Sequence, residues 1–579
     1  MSGAVARPKG LKVFAAAIST RKSATMLVYG FSSGLPAALL VGTLTAWLGE
    51  VGIKLAMIGV LSWIGLTYAF KFLWSPLVDR VELPLLERLG RRKSWIILCQ
   101  VVMILSLLAI VATDPLEHIA RFALFAFFGA LASATQDIAI DGWRIDVADE
   151  KAPVELLSSV YQLGGRSASI VGGAVALYLA ARMSWPTVYL VMAVLMGVVL
   201  VLGLGAPDTP RPEAARASAL AQPGEVNPRL RAIGLIIVGA SWTWAIVTLL
   251  MFMISMLADL PPGATRPSAG DFLKNYGWMI IGATVFVPLG VAAWINWLKA
   301  KGRGLQTVED HTRSAARTAA NHLYGALIAP LADLAERMRW GVLIVMALIL
   351  TYALCYNVWA SFAYPFYLDF MHYSKDEVAF ASKIFGIIMS IIGVSIGGYL
   401  FLRIGRFPTV LIGAFLPILG NFVYADLADG APYLDGVLGA LRVGAIVNWF
   451  GTMWVSIMPT GWADQFYYEP RMARLLLTIS YENISTGIAG AALVAFMSGV
   501  VSKKYAAVQY AVLSSLTFLV GALMRAPVGE AIPIYGYGDV FRWLSLTGVV
   551  AILFVLLEWW RSSRIAAVPA EPGHTGKAA

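Results

Sequence analysis

Charge is what this chain lacks most. Asp, Glu, Lys and Arg make up only 13% of its 579 residues, about half the share found in soluble domains, which excludes an ordinary water-soluble globular protein. Cysteine is rarer still: Cys99 and Cys355 are the two, both inside apolar runs. They read as small core residues, which excludes a disulfide framework. The five histidines lack ligand spacing, so no metal site is expected. They supply no Ser/His or His/Asp arrangement for nucleophilic catalysis, and the chain is not expected to be an enzyme. No Gly-x-x-x-x-Gly-Lys-Ser/Thr loop is present to cradle a nucleotide phosphate, and no other cofactor is expected. Ten-residue segments of alternating polarity are absent, which argues against a membrane β-barrel.

Apolar length is what the chain has. Hydrophobic residues make up 59% of it, and mean hydropathy is +0.73. Runs of about twenty apolar residues recur, each long enough to cross roughly 30 Å of hydrocarbon as a helix. The reading is an all-α polytopic membrane protein. Six runs cover 26–48, 55–78, 94–113, 119–146, 156–181 and 186–204. Residues 206–231, rich in Pro, Ala, Glu and Arg without apolar period, read as a cytoplasmic linker. Two further runs, 232–257 and 277–299, form an inserted pair within 232–300. In the basic stretch 301–339, Leu323, Leu327, Leu331 and Leu334 recur at helical spacing and predict an amphipathic helix on the cytoplasmic surface. The second half has runs at 340–364, 378–402, 408–425, 475–500, 510–524 and 541–560. The expectation is two six-helix bundles, 1–205 and 340–565, with an extra transmembrane pair between them, about fourteen spans, and a disordered tail at 566–579.

The net charge of +10 does not call for nucleic acid, because Lys and Arg fall in short loops where they report orientation. Arg88, Arg91, Arg92 and Lys93 place the loop after the second run, and with it the N-terminus, in the cytoplasm. Arg403 and Arg406, Lys503 and Lys504, and Arg561 and Arg564 mark further cytoplasmic turns, and the C-terminus follows them. That parity leaves no room for a span at 437–458, although the segment is apolar. The insert 426–472 is therefore expected to be a periplasmic interfacial or re-entrant piece. Arg7, Lys9, Lys12, Arg21 and Lys22 precede the first run without a convincing cleavage site, so no removed signal peptide is expected.

The fourth run ends in Ala134-Thr-Gln-Asp-Ile-Ala-Ile-Asp-Gly-Trp-Arg-Ile-Asp146. Steps of four and seven residues return to within roughly 40° and 20° of the same helix face, so Asp137, Asp141 and Arg144 point one way. Asp146 falls about 180° from Asp137 and reads as a surface residue. Charge in hydrocarbon costs about 2.5–3.5 kcal/mol per group on insertion scales, so it faces a partner or a wet cavity. Two readings follow: a salt bridge that locks helices together, or the polar cavity of a transporter. At about 1.5 Å per residue from the cytoplasmic helix ends, Lys71, Asp137 and Arg166 come to similar depths of about 10, 13 and 15 Å. Gln162 and Arg166, four residues apart, share a face. Asp137 is the candidate proton-coupling charge, with Asp141 and Glu482 beside it in that role. Arg166 and Lys71 are candidates to bind substrate carboxylates, or else only neutralise Asp137 and Asp141. Tyr352, Tyr356 and Asn357, with Trp359 and Tyr364, crowd one helix. Such residues bind sugars or anchor helices at the interface. Glu482 reads as a second titratable group or as a gate residue paired with Arg471 or Arg474. Lys383 reads as a snorkelling lysine.

The layout of six spans, linker and six spans resembles the major facilitator superfamily, and Asp79-Arg80 with Gly90-Arg91-Arg92-Lys93 resembles a stretched form of its signature loop. Gly30-Phe-Ser-Ser-Gly-Leu-Pro36, Gly42-Thr-Leu-Thr-Ala-Trp47, Phe70-Lys-Phe-Leu-Trp-Ser-Pro76 and Gln136-Asp137…Asp141-Gly-Trp-Arg144 resemble the AmpG-type muropeptide permeases. Ala329-Pro-Leu-Ala-Asp333, Glu482-Asn483 and Gln509-Tyr-Ala-Val-Leu-Ser-Ser515 are similar to later parts of that family. The inserted pair 232–300 and the insert after the ninth core span depart from it. The resemblance implies import of GlcNAc-anhydroMurNAc peptides from periplasm to cytoplasm across a bacterial inner membrane, driven by protons. The alternative is another anionic solute, such as acetyl-CoA or a siderophore. On this reading the partners are a small-molecule substrate, protons and membrane lipid, and the protein is a monomer. Tyr29, Gln136, Arg144 and Gln162 join Lys71 and Arg166 as candidate substrate-binding residues, and Asp79, Arg80 and Arg91 are the candidate cytoplasmic gate.

Overall fold

The computed structural model describes residues 20–74, 78, 83, 89–149, 152, 154–207, 226–258, 265–302, 323–325, 327–455, 469–502 and 505–566. Asp79 and Arg80, the linker interior 208–225, the basic stretch 303–322 and the tail 567–579 lie outside the described residues. The elements are helical throughout. In chain order they are α1 (Arg21–Glu50), α2 (Leu55–Tyr68), α3 (Arg91–Val111), α4 (Ile119–Val147), α5 (Val160–Ala180), α6 (Trp185–Leu204), α7 (Pro228–Leu257) and α8 (Ala269–Ala300). Then follow α9 (Ala329–Met338), α10 (Gly341–Phe362), α11 (Lys375–Phe401), α12 (Arg406–Ala428), α13 (Pro432–Ala440), α14 (Val443–Val455), α15 (Pro470–Val500) and α16 (Ala506–Ala566).

Twelve of these helices are long and apolar enough to cross a membrane, so the protein is a multi-pass membrane protein. The expected number was about fourteen, and two places account for the difference. Helix α2 is apolar but short. Helix α16 runs 61 residues but contains two helical legs that meet at Gly536, where φ is 80°. A side chain with a Cβ is strained at that φ, which makes glycine the residue that can turn the chain there. The apolar stretch at 437–458 is not one helix of spanning length. It breaks at Arg442, with φ of 51°, into the nine residues of α13 and the thirteen of α14.

Several long helices carry a π-helical segment. In α1 this is Ala38–Thr43, just after Pro36, and in α8 it is Gly282–Phe286, just before Pro288. In α8 the proline removes a donor and crowds the preceding turn, which favours such a register change. Helix α5 has one at Val171–Val175, and its Gly172 carbonyl accepts a hydrogen bond from Thr43 Oγ1 of the π segment in α1. A carbonyl loosened from its own helix is thereby satisfied by its neighbour.

Helix α1 packs along α5, α3 against α4 and α6, α10 against α16, α11 against α15, and α12 against α15 and α16. In lipid there is little hydrophobic drive between helices, so close backbone approach through small residues does this work. A Cβ on Gly30 would lie 2.2 Å from the Tyr161 carbonyl oxygen, and one on Gly164 would lie 2.3 Å from that of Leu27. Across the two halves, α2 meets α16, the end of α1 meets the turn after α10, and α5 meets the start of α11. The inserted pair α7–α8 leans on α2 and α4 from one side and on α16 and α9 from the other. Trp63 of α2 meets Phe252 and Phe272 of the pair at 5.7 and 6.0 Å. Glu530 of α16 accepts from Ser268 Oγ and the backbone N–H of Ala269 and Gly270, closing the N-terminus of α8. The amphipathic segment forms α9, with Leu331 and Leu334 buried.

Gly164→Val is expected to destabilise the α1–α5 contact by about 1–3 kcal/mol, the usual cost of overpacking. Melting of the purified protein should fall accordingly. Gly197→Val in α6, where a Cβ meets nothing within 4 Å, should leave melting unchanged.

Candidate functional site

Four helices converge on Asp137. It lies in α4, 9% exposed, and its Oδ1 accepts from Ser33 Oγ of α1 at 2.5 Å. Ser33 Oγ also shares a hydrogen bond with Tyr161 Oη of α5 at 2.7 Å. Lys71, just beyond α2, brings Nζ to 3.6 Å from Asp137 Oδ2 and 4.0 Å from Asp141 Oδ2. Arg144 pairs with Asp141 at 3.0 Å and lies over the Tyr161 ring, 5.5 Å from its centroid. Asp137, Asp141 and Arg144 thus share one face, and Lys71 meets that face. Two carboxylates and two cations sum to zero, which is what a low-dielectric site requires. Close by, Ser133 Oγ and Tyr68 Oη are enclosed beside each other.

The other first-half candidates sit elsewhere. Arg166 and Gln162 are exposed on α5, and Arg166 makes no ion pair or hydrogen bond among the described residues, so equal depth did not bring it to Asp137. Gln136 is fully buried and bonds with Ser32 Oγ, which also accepts from Gln100. Tyr29 is fully buried, edge-on to Trp143, with Oη 3.4 Å from the Gly203 carbonyl. Asp146 meets Arg92 at 3.2 Å and the gate candidate Arg91 at 3.9 Å. Ser33 and Tyr161 were not singled out from the sequence. The available signal was a pair of serines in an apolar run beside two glycines.

In the second half, Glu482 of α15 accepts a short hydrogen bond from Tyr424 Oη of α12, and Tyr424 Oη is in turn paired with Tyr367 Oη. The expectation that Glu482 pairs with Arg471 or Arg474 is not met. Arg474 grips Asp435 with Nε and Nη2 at 2.7 and 2.5 Å, and Arg471 donates to the carbonyls of Met371 and His372. Lys383 does not snorkel to the surface: its stem lies where a Gly173 Cβ would be, and Nζ sits 5.2 Å from the Tyr364 ring centroid. Tyr352 is buried at 2% exposure and donates to the Val410 carbonyl at 3.1 Å, so it packs α10 on α12. Tyr356 is half-buried against the core. Trp359 is no interfacial anchor, since it is buried against Tyr424 and Phe541. Nδ2 of Asn357 and Nε1 of Trp359 are enclosed without hydrogen-bond partners among the described residues.

The halves are joined at the end that carries the α1–α2 and α5–α6 turns. Arg182 holds Asp376 through two hydrogen bonds, 2.9 and 3.0 Å. Lys375 binds Glu50 at 2.8 Å and the Ala180 carbonyl at 2.9 Å, and Trp185 Nε1 donates to Glu50 at 2.6 Å. A capping box of Ser374 and Glu377 fixes the turn that presents Lys375 and Asp376. Nearby, a crevice of about 890 Å³ is lined by Gly49, Lys54, Arg266, Asp369, Glu530 and Tyr537. Asp369 abuts Gly49. Burial, then the neighbouring Glu50 carboxylate, push its carboxyl up to about 6, with His372 acting the other way. Among the described residues no group of three or more His, Cys, Asp or Glu could hold a metal.

A model of the Major Facilitator Superfamily matches residues 23–467. A Rickettsia conorii protein named as transporter AmpG 4 is 24% identical over 534 residues, 92% of this chain and 95% of that protein. The anhydromuropeptide permease of Escherichia coli K12 is 38% identical over 190 residues, 32% of this chain and 38% of that protein. Among solved structures, a mutant of the nucleoside transporter NupG aligns with a TM-score of 0.54 at 11% identity, covering 93% of this chain and all of that one. The POT family transporter PepTSo aligns with a TM-score of 0.53 at 13% identity, covering 97% of this chain and all of that one. These two show likeness of fold alone.

The Asp369 shift carries a pH dependence. A carboxyl that is harder to ionise with the seam closed makes closure take up a proton. Closure should therefore be favoured as pH falls through about 6, the value to which Asp369 is raised. Distances between spin labels placed across the seam should shorten over that window, and Asp369→Asn should flatten the response. Labels that stay equally far apart at every pH would show that Asp369 does not report closure.

Proposed function

The chain belongs to the major facilitator superfamily, and we propose that it imports anhydro-muropeptides, GlcNAc-anhydroMurNAc peptides, from periplasm to cytoplasm together with the downhill entry of protons. The observation that carries this reading is the charge-balanced cluster of Asp137, Asp141, Lys71 and Arg144, held between α1, α2, α4 and α5. The resemblance of residues 134–144 to muropeptide permeases, and the 38% identity of part of the chain to a protein named as an anhydromuropeptide permease, supply the substrate class. The absence of a phosphate-cradling loop in the sequence favours an ion gradient over ATP as the energy source.

With the N-terminus in the cytoplasm, as the positive loops direct, the Arg182–Asp376 and Lys375–Glu50 pairs lie on the periplasmic side. The structure then corresponds to a state closed to the periplasm. Asp137 stands ten residues from the C-terminal end of α4 at Val147, and Glu482 eighteen from that of α15 at Val500. At about 1.5 Å per residue the two carboxylates sit about 12 Å apart in depth, Glu482 nearer the periplasm. In this reading Asp137 exchanges its proton as the site opens alternately to the two sides, and Glu482 is a second station. Lys71 and Arg144 balance the charge of Asp137 and Asp141 until a proton or the substrate replaces them. Arg166 and Gln162, exposed on α5, are available to the substrate directly. Asp79 and Arg80 retain their role in the cytoplasmic gate on the strength of the sequence signature, with Arg91 anchored to Asp146.

Right-side-out vesicles holding the protein should accumulate labelled GlcNAc-anhydroMurNAc tripeptide, and an uncoupler should abolish accumulation. No uptake would overturn the substrate, leaving another anionic solute. Uptake indifferent to the uncoupler would overturn proton coupling. Asp137→Asn should abolish accumulation while the variant remains monodisperse with unchanged melting; normal accumulation by that variant would make Asp137 structural.

A further inference from the structure

Arg525, inside the bundle, has no carboxylate partner among the described residues. Arg525 of α16 is 9% exposed, and Nε and Nη2 donate at 3.3 and 3.2 Å to a single backbone carbonyl, that of Asn357 in α10. It makes no ion pair among the described residues. Beside it, Asn357 Nδ2 is enclosed and has no hydrogen-bond partner. That carbonyl lies where α10 changes character: the helical turn Leu354–Asn357 gives way to a tighter turn at Trp359–Phe362. A carbonyl carries no formal charge, so it satisfies two N–H groups and leaves the guanidinium uncompensated. That differs from Lys71 and Arg144, which Asp137 and Asp141 neutralise. Buried charge without a counter-charge is expensive, and inside membranes it marks a place where a ligand or ion supplies the missing sign.

The position gives access. A Cβ on Gly59 of α2 would lie 2.8 Å from the Arg525 carbonyl oxygen, and one on Gly529 would lie 2.5 Å from that of Leu55. Helix α2 belongs to the first half and α16 to the second, so Arg525 lies at their seam. Separation of α2 from α16 at this end, with the Arg182–Asp376 and Lys375–Glu50 pairs broken, uncovers the guanidinium to the side from which substrate arrives.

We propose that Arg525, with Asn357 Nδ2 beside it, receives a carboxylate of the transported molecule. The assignment rests on the reading of the substrate as an anhydro-muropeptide, whose peptide stem is anionic. A guanidinium offers paired N–H groups to a carboxylate, and Nη1 of Arg525 makes no hydrogen bond among the described residues. Arg474 and Arg542, by contrast, are held by Asp435, Asp429 and Asp539.

The test is binding to purified full-length protein in nanodiscs. The two probes are GlcNAc-anhydroMurNAc tripeptide with free stem carboxylates and the same molecule with those carboxylates amidated. Wild type should bind the acid about tenfold or more tightly than the amide, the scale of one charged hydrogen-bonded contact. In Arg525→Gln the two should bind within about twofold of each other, with the amide little affected. Arg525→Lys keeps the charge and should keep part of the preference, which separates recognition from loss of the Asn357 contact. A full preference in Arg525→Gln overturns the assignment while leaving the substrate reading intact. Wild type that binds neither probe overturns the substrate reading and the assignment with it. Equal weakening of both probes in Arg525→Gln overturns the assignment in favour of a purely structural arginine.

Discussion

A carboxylate surrounded by hydrocarbon must be matched by charge and by hydrogen bonds, and the first half of this protein is arranged around that requirement at Asp137. One oxygen takes a hydrogen bond from α1, the other faces the lysine beyond α2, and the serine that donates is itself tied to α5. Removal of any one contact leaves a buried polar group without its partner, a loss that costs more than the contact itself contributes. The close approach of α1 and α5 follows from the same need. Gly30 and Gly164 let the backbones touch, and that brings Ser33 and Tyr161 within reach of a carboxylate on a third helix.

The second half meets the requirement differently. Glu482 is approached by tyrosine hydroxyls in series, from Tyr424 and then Tyr367. Hydroxyls can donate or accept as the carboxyl changes state, whereas the ammonium and guanidinium groups around Asp137 and Asp141 can only donate. Both buried acids thus end a short chain of hydroxyls, Ser33 and Tyr161 at Asp137 and Tyr424 and Tyr367 at Glu482, and Asp137 has Lys71 beside it as well. The ion pairs that join the halves lie away from both, at helix ends where Lys375 and Glu50 are partly solvated. Pairs in such positions are weak individually, which suits contacts that have to part and re-form.

Helical periodicity made much of this legible in the sequence. It placed Asp137, Asp141 and Arg144 on one face, and the depth of Lys71 brought it to that face. Depth says nothing about rotation around the helix axis, and for that reason Arg166, at a matching level, points elsewhere. Tyr29 and Tyr352 resembled cavity-lining aromatics because the backbone carbonyls they meet, Gly203 and Val410, belong to helices far away in sequence. Arg182 and Asp376, 194 residues apart, carry no local sign of their pairing. Glu482 was visible as a lone acid in an apolar run, but its tyrosine partners were indistinguishable from the many aromatics around them. Parity of positive loops argued against a single span at 437–458, and the described part of that stretch turns at Arg442, a break that hydropathy alone does not reveal.

Gly536 has a mechanical meaning. The two legs of α16 are joined by one residue in a conformation that side chains avoid, with helix immediately on either side. A connection without a loop has no slack to take up. The first leg bears Arg525 and Glu530, one reaching α10 and the other holding the N-terminus of α8. The second leg packs along α12. With no slack at Gly536, a tilt of either leg is passed to the other and to the helices fastened to each.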